Sequence, residues 1–250
     1  MTSSVEIIFG LHAVRALLLR RPQRALRLKL AAGRDDARLR EIIELATRHG
    51  VAIEHGDARE FKQLLGEVVH QGIVAEVTSL PPWTEDDLLG ALASAKDPLV
   101  LALDGVQDPH NLGACLRTAD ACGAVAVVVP KDRAAQLTPA VRKVAAGAAE
   151  TTPVVAVTNL VRCLSLLKAG GLWVVGAEAQ ADKRPSDVDL RTGTVLVLGA
   201  EGAGLRKLTR QNCDFVVRLP QLGAVESLNV SVAAGMLLYE AVRQRETAAN

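Results

Sequence analysis

From Pro98 onward the chain alternates short apolar runs with helical patterns, and this alternation limits the fold more than any other feature. The runs are Leu99–Leu103, Ala124–Val129, Val154–Val157, Trp173–Ala177, Val195–Leu198 and Phe215–Leu219. They are continuously apolar or β-branched, so both faces of each strand must be covered. Strands of that kind separated by helices build a parallel sheet. Ligands of such sheets bind beyond the carboxyl ends of the strands. The loops after Leu103, Leu198 and Leu219 are therefore the places to look for a site.

Ahead of this region, residues 5–78 read as a separate compact α/β unit. Helical patterns cover Gly10–Leu19 and Asp36–His49, and Asp57 caps a third that runs to Leu65. Strands are expected at Leu26–Ala31, Val51–Glu54 and Gly72–Thr78. Leu80-Pro81-Pro82-Trp83 then stops helices on either side and reads as a linker. Thr84 and Asp87 form the pattern of a capping box for a short helix to about Ala95. The expected organisation is a first domain over 1–78, a linker over 79–96 and a second domain over 97–250.

Charge divides the chain in a different way. Residues 1–40 hold nine Lys/Arg against three Asp/Glu, while the other 210 residues hold 20 against 25. A basic arm on a near-neutral body suits a phosphate-bearing partner, although a solvated helix face gives the same pattern. With three Phe, two Trp and one Tyr, the chain lacks aromatics for a base-stacking platform. No apolar run reaches the ~18 residues that span a bilayer. Met1–Arg21 is too weakly apolar for a secretory signal and reads as an amphipathic helix. Cys115, Cys122, Cys163 and Cys213 show no metal-ligand spacing, so no metal is expected. They read as buried thiols of a cytoplasmic protein.

Three loops carry the candidate chemistry. In the first, Asn111 stands where a helix N-cap belongs, with Leu112, Leu116 and Ala119 as the buried stripe. Arg117 lies off that stripe. Taken alone, Asn111 reads as a cap and Arg117 as a surface charge. The second, Leu198–Leu205, has three glycines around Glu201. Its spacing is not the dinucleotide fingerprint, and a carboxylate there repels a polyphosphate. The third follows Leu219 into a long helix. Ser227 can cap that helix, and Asn229 is a poor helix former in its first turn.

The stretches NLGACLRTAD, LGAEGAGL and ESLNVSVA, in this order, resemble the three signature motifs of SpoU-type RNA ribose 2′-O-methyltransferases of the SPOUT superfamily. FGLHAVRALL at 9–18 and HQGIVAEV at 70–77 resemble the subgroup with a small ribosomal-protein-like RNA-binding domain. Within the family the resemblance is nearest to the bacterial group that methylates a guanosine of 23S ribosomal RNA. It implies an α/β domain with a deep trefoil knot that binds S-adenosyl-L-methionine. The cofactor contacts it implies are Gly199, Leu219 and Leu228, with Gly176 and Ala177 on a further loop of the pocket. It also implies a homodimer, for which the Ala-rich stretch Pro139–Ala149 offers a helix of close approach.

The same resemblance gives Arg117 the central role. A guanidinium with a pKa above ~12 is a poor base, so phosphate pairing and alkoxide stabilisation suit it better. Asn111, Glu201, Ser227 and Asn229 would orient Arg117, the ribose or the cofactor. His110 reads as a hydrogen-bonding spacer. The role of the 178–190 loop stays open. Alternatives are the same reaction on a transfer RNA, or a non-catalytic ribosome-assembly protein with a relic pocket.

Overall fold

A computed structural model describes residues 5–31, 36–66, 71–224 and 227–249. The elements run β1 (Val5–Phe9), α1 (Leu11–Arg20), β2 (Ala25–Ala31), α2 (Ala37–Arg48), β3 (Ala52–Gly56), α3 (Ala58–Leu65) and β4 (Ile73–Thr78). There follow α4 (Glu85–Ser94), β5 (Leu99–Asp104), α5 (Pro109–Ala121), β6 (Ala126–Pro130), α6 (Pro139–Val144), β7 (Val154–Val157) and α7 (Leu160–Ala169). The last are β8 (Trp173–Ala177), β9 (Thr194–Gly199), α8 (Lys207–Asn212), β10 (Phe215–Val217) and α9 (Val230–Ala249). They form two compact units, Met1–Pro81 with Arg142–Thr151, and Pro82–Val141 with Thr152–Asn250.

The first unit has a four-stranded sheet in the order β1-β4-β2-β3, with β4 antiparallel to both neighbours and β2 parallel to β3. Its core joins Val14, Leu17 and Leu18 of α1 and Leu39, Ile42 and Ala46 of α2 to Leu28, Ile73 and Ala75 of the sheet. Asp36 and Asp57 cap α2 and α3 by accepting backbone N–H bonds. Strand β1 corrects the expected amphipathic helix over 1–21. Val5-Glu6-Ile7-Ile8-Phe9 pairs with β4, and helix begins only at Leu11. Tertiary pairing overrides a weak helical pattern there.

Arg142–Thr151 belongs to this first unit, which was not foreseen. The expected helix over Pro139–Ala149 stops at Val144, because Ala146 (φ 52°) and Gly147 (φ 101°) turn left-handed. A Cβ on Gly147 would lie 2.7 Å from Ala16 Cβ and 3.0 Å from the His12 carbonyl oxygen, so only glycine permits this approach. Nearby, Arg24 and Glu150 form a buried ion pair. Arg142 bridges Glu150 and Glu6 at 2.8 Å each, and Arg24 reaches Glu6 at 3.3 Å. Part of the basic arm is thus compensated. Arg24 is structural, Arg15 pairs with Glu41, and Arg27 pairs with Glu54 and Glu76.

The second unit contains the expected parallel sheet. Its order is β10-β8-β9-β5-β6-β7, and each adjacent pair is parallel. One face packs Val100, Ala102, Val128, Val155 and Val197 against Leu160, Leu164 and Leu167 of α7. On other strand positions, Leu101, Leu103, Val127, Leu196 and Leu198 are also buried, and α5 and α9 pack together beside β6 and β9. Leu88 and Leu92 of α4 join this core, so only part of 79–96 is linker and the units divide between Pro81 and Pro82. The Thr84–Asp87 capping box opens α4 as expected. All four cysteines are free, and burial pushes the Cys115 and Cys163 thiols up to about 12.

Candidate active site

Three loops meet at the carboxyl edge of the parallel sheet, and each places its polar residue by local backbone chemistry. After β5, Asp108 rather than Asn111 caps α5, accepting from His110 N at 2.9 Å. This corrects the expected cap and leaves the Asn111 amide free for another partner inside the first turn. After β9, the glycine loop folds back on itself, and Gly204 N donates to the Ala200 carbonyl at 2.9 Å. A Cβ on Gly199 would lie 2.0 Å from the Gly204 carbonyl group, so a side chain there is impossible. At the start of α9, Asn229 is the cap, accepting from Ser231 N at 2.8 Å and Val232 N at 3.4 Å. Ser227 therefore does not cap that helix. Val225 and Glu226, within and beside the third motif, lie outside the described residues.

These loops converge on Glu201. Its Oε1 accepts from Asn111 Nδ2 at 3.0 Å, from Asn229 Nδ2 at 2.8 Å and from Val230 N at 3.3 Å. Asn229 Nδ2 also donates to Asn111 Oδ1 at 2.9 Å. Residues 90 and 118 positions apart thus share one hydrogen-bonded cluster. Asn111 is buried, so its amide needs these partners.

Beside the cluster opens a cavity of about 490 Å³, within the usual range for small-ligand sites. Gly199, Leu219, Leu228, Ala177, Ser227 and Glu201 line it. Gly176 does not. A Cβ there would meet Cys213 Sγ and Leu205 Cδ1 at 2.7 Å, so Gly176 packs against the protein interior instead. Arg117 is exposed on α5 and is not among the lining residues. It has no hydrogen bond or ion pair among the described residues.

Sequence reasoning missed Glu178, Gln180, Arg210 and Gln221 of the wall. Arg210 Nε donates to Glu178 Oε2 at 2.6 Å, and that carboxylate raises the guanidinium pKa. The 178–190 loop supplies Glu178 and Gln180 to the wall. Gln244 of α9 pins the loop by bonding Pro185 O, Val188 O and Leu190 N. It also missed Asp104, whose buried carboxylate accepts from Arg206 N at 2.9 Å and Arg206 Nε at 2.5 Å. A charge ending the apolar run LVLAL was the available signal for that residue. No group among the described residues could hold a metal ion, and no described helix is long and apolar enough to cross a membrane.

A parallel α/β sheet with a ligand-sized cavity and a locked carboxylate at its carboxyl edge defines an enzyme domain for a small polar ligand, joined here to a separate α/β unit. Residues 98–239 match the SpoU rRNA Methylase family, and residues 7–83 match the RNA 2′-O ribose methyltransferase substrate binding family. The chain belongs to the SpoU rRNA methylase family. It is 54% identical over 246 residues to the 23S rRNA (guanosine-2′-O-)-methyltransferase RlmB of Pseudomonas syringae, covering 97% of each chain. The relative of the same name from Escherichia coli K12 is 47% identical, with 96% of this chain and 99% of that one covered. The crystal structure of the SpoU methyltransferase AviRb from Streptomyces viridochromogenes with AdoMet superposes with a TM-score of 0.78 at 26% identity, covering 97% of this chain and 91% of that one.

Proposed function

We propose that this protein transfers a methyl group from S-adenosylmethionine to the ribose 2′-hydroxyl of a guanosine in 23S ribosomal RNA. The observation that carries the proposal is the Asn111–Glu201–Asn229 cluster, which ties all three motif loops to one cavity. The full-length relatives named for this reaction support it, and favour it over a transfer RNA substrate. The cavity suits the cofactor chemically. Glu201 and Glu178 favour a cationic ligand, Arg210 can meet a carboxylate, and apolar Leu219 and Leu228 can flank an adenosine. The bound cofactor supplies an electrophilic methyl group, and the protein's task is alignment and charge control. Comparing 2′-O-methyl positions in 23S ribosomal RNA from strains with and without the protein tests the reading. Loss at one guanosine is expected. Loss only in transfer RNA would overturn it.

Glu201 holds the motif loops in register, and Asn229 orients Glu201 while capping α9. Asn229→Ala removes both bonds. Expected effects are a loss of about 1 kcal/mol of stability from the cap and about tenfold weaker cofactor binding, worth about 1.4 kcal/mol. Calorimetry with S-adenosylmethionine reads the second, and unchanged affinity would remove Asn229 from the cofactor site.

Arg117 acts on the RNA, and does so at the site of a second copy. It lies off the cavity of its own chain, and α9 beside α5 exposes Val232, Met236 and Tyr239 at 51%, 42% and 65%. That spacing puts three apolar side chains on one stripe. The stripe replaces Pro139–Ala149 as the motive for a homodimer. Sedimentation at micromolar concentration should give a dimer, and the double change Met236→Glu, Tyr239→Glu should give monomers without transfer activity. A fully active monomer would refute the arrangement. The knotted path of the second unit, the role of the first unit in holding RNA, and a cytoplasmic location where ribosomal RNA is made belong to this same reading.

A further inference from the structure

A second cavity, of about 540 Å³, opens at the same edge of the parallel sheet and has no part in the cofactor site. It lies over the ends of β6 and β7, where Pro130 and Asn159 contribute to its wall. The cofactor cavity lies over β8 and β9, so β5 stands between the two. At a strand spacing of about 4.8 Å, the ends of β9 and β6 are about 10 Å apart. The divider is built from the motif loops themselves, since Asp104 at the end of β5 fixes Arg206 by its backbone and its side chain.

The charges of this groove are predominantly positive. Arg133, Arg206 and Lys207 line it against one carboxylate, Asp132, among the lining residues. Arg206 is matched by Asp104. Arg133 and Lys207 are exposed and have no ion pair among the described residues. Arg133 holds a left-handed backbone, φ 56°, that side chains rarely adopt. Its turn is braced on every side. Gln136 Nε2 donates to Pro130 O at 2.8 Å and to Ala134 O at 3.2 Å, while Ala135 N donates to Val106 O and Lys131 N to Val157 O, both at 2.8 Å. The braced turn fixes the backbone from which the unmatched Arg133 side chain joins the groove wall. The groove has no aromatic in its wall, so it offers nothing for base stacking and suits an anion. In the first unit, by contrast, Arg15, Arg24 and Arg27 are spent on carboxylates.

We propose that this groove holds the phosphodiester backbone of the RNA strand a short step from the target ribose, with Arg133 and Lys207 as the phosphate contacts. The inference rests on the methyltransferase reading above and adds a binding register to it. Contacts to backbone alone are independent of sequence, so the groove sets position and affinity while base recognition lies elsewhere.

The test uses the full chain, a 23S ribosomal RNA transcript and S-adenosylmethionine. The double variant Arg133→Asn, Lys207→Gln removes both charges, and Asn tolerates the left-handed turn. Its RNA affinity at low salt should fall by about tenfold or more, and the slope of log affinity against log salt should shrink by about 1.4, the value for two phosphates on a single strand. Cofactor affinity should match the unaltered protein, which also shows that the variant is folded. Arg191→Glu changes charge at the opposite sheet edge, ahead of β9, and should leave the salt slope unchanged. RNA affinity and slope within twofold of the unaltered protein in the double variant would overturn the groove assignment, as would an equal loss in Arg191→Glu. An unaltered protein that binds RNA with these groove effects yet methylates none of it would instead overturn the methyltransferase reading.

Discussion

Arg117→Ala should slow methyl transfer by about 10²–10³, the usual cost of losing one well-aimed transition-state donor, while cofactor affinity stays close to that of the unaltered protein. The separation follows from position. The cofactor cavity is lined by Gly199, Leu219, Leu228 and Ala177, and Arg117 is exposed on another face of α5. In the proposed reaction the O–CH3 bond would form as the cofactor's S–CH3 bond breaks to leave a neutral thioether, and the 2′-hydroxyl proton would pass to water, so negative charge builds on that oxygen as the proton leaves ahead of bond formation. A guanidinium held on the neighbouring phosphate stabilises that charge without having to lose a proton of its own. Arg117→Lys should fail as well, because an ammonium lacks the planar fork for phosphate. Single-turnover transfer and calorimetry, measured on the same preparations, separate rate from binding. A rate above about a tenth of the original in Arg117→Ala falls well short of the loss expected for such a donor and would remove Arg117 from the reaction.

The parallel sheet was legible because fully buried strands must be apolar on both faces, and each of the six runs produced a strand. The runs were less exact at their ends. Ala124-Val125 and Arg218-Leu219 belong to loops, since apolar character alone does not mark where hydrogen-bond pairing stops. The motif loops were legible as motifs, and their convergence on Glu201 could be read from no single one of them. Capping was misassigned twice for one reason. Asn111 and Ser227 are good caps in isolation, but Asp108 and Asn229 stand at the true helix starts. Gly176 was placed in the pocket by resemblance, whereas its missing side chain makes room for Cys213 and Leu205. Arg210 and Glu178 carried no local signal, because their pairing depends on how the 178–190 loop runs parallel beside β10. The basic arm was legible only as a charge count. Charge counting cannot see that Arg24, Arg15 and Arg27 find carboxylates from distant parts of the chain.

Glu150→Gln should be the most destabilising single change outside the core, at about 3–5 kcal/mol. Arg24 is 4% exposed and Glu150 2% exposed, so neither charge is solvated when its partner is lost. The native arrangement closes a ring. Glu150 receives Arg24 and Arg142 on its two oxygens, Glu6 receives the same two arginines, and Arg24 Nε also donates to Thr78 O at 2.9 Å. A glutamine amide would turn an NH2 group toward one guanidinium and leave the buried Arg24 and the half-buried Arg142 facing Glu6 alone. At roughly 2–4 °C per kcal/mol for a chain of this size, the melting temperature of the protein should fall by about 10 °C. Arg162→Gln breaks a pair with Glu85 in which the arginine is 66% exposed, and that change should cost at most about 1 kcal/mol. A melting temperature for Glu150→Gln within about 2 °C of the original, less than the shift for 1 kcal/mol, would show that the ring is solvated in solution. The same ring governs where the protein can be cut. A chain beginning at Thr84 would keep Glu150 and Arg142 but lose Arg24 and Glu6, so the Arg142–Thr151 segment would expose surface that the first unit now covers. The shortened chain keeps the Arg142–Glu150 pair, now solvated, so it should still bind S-adenosylmethionine while melting at a lower temperature than the whole protein.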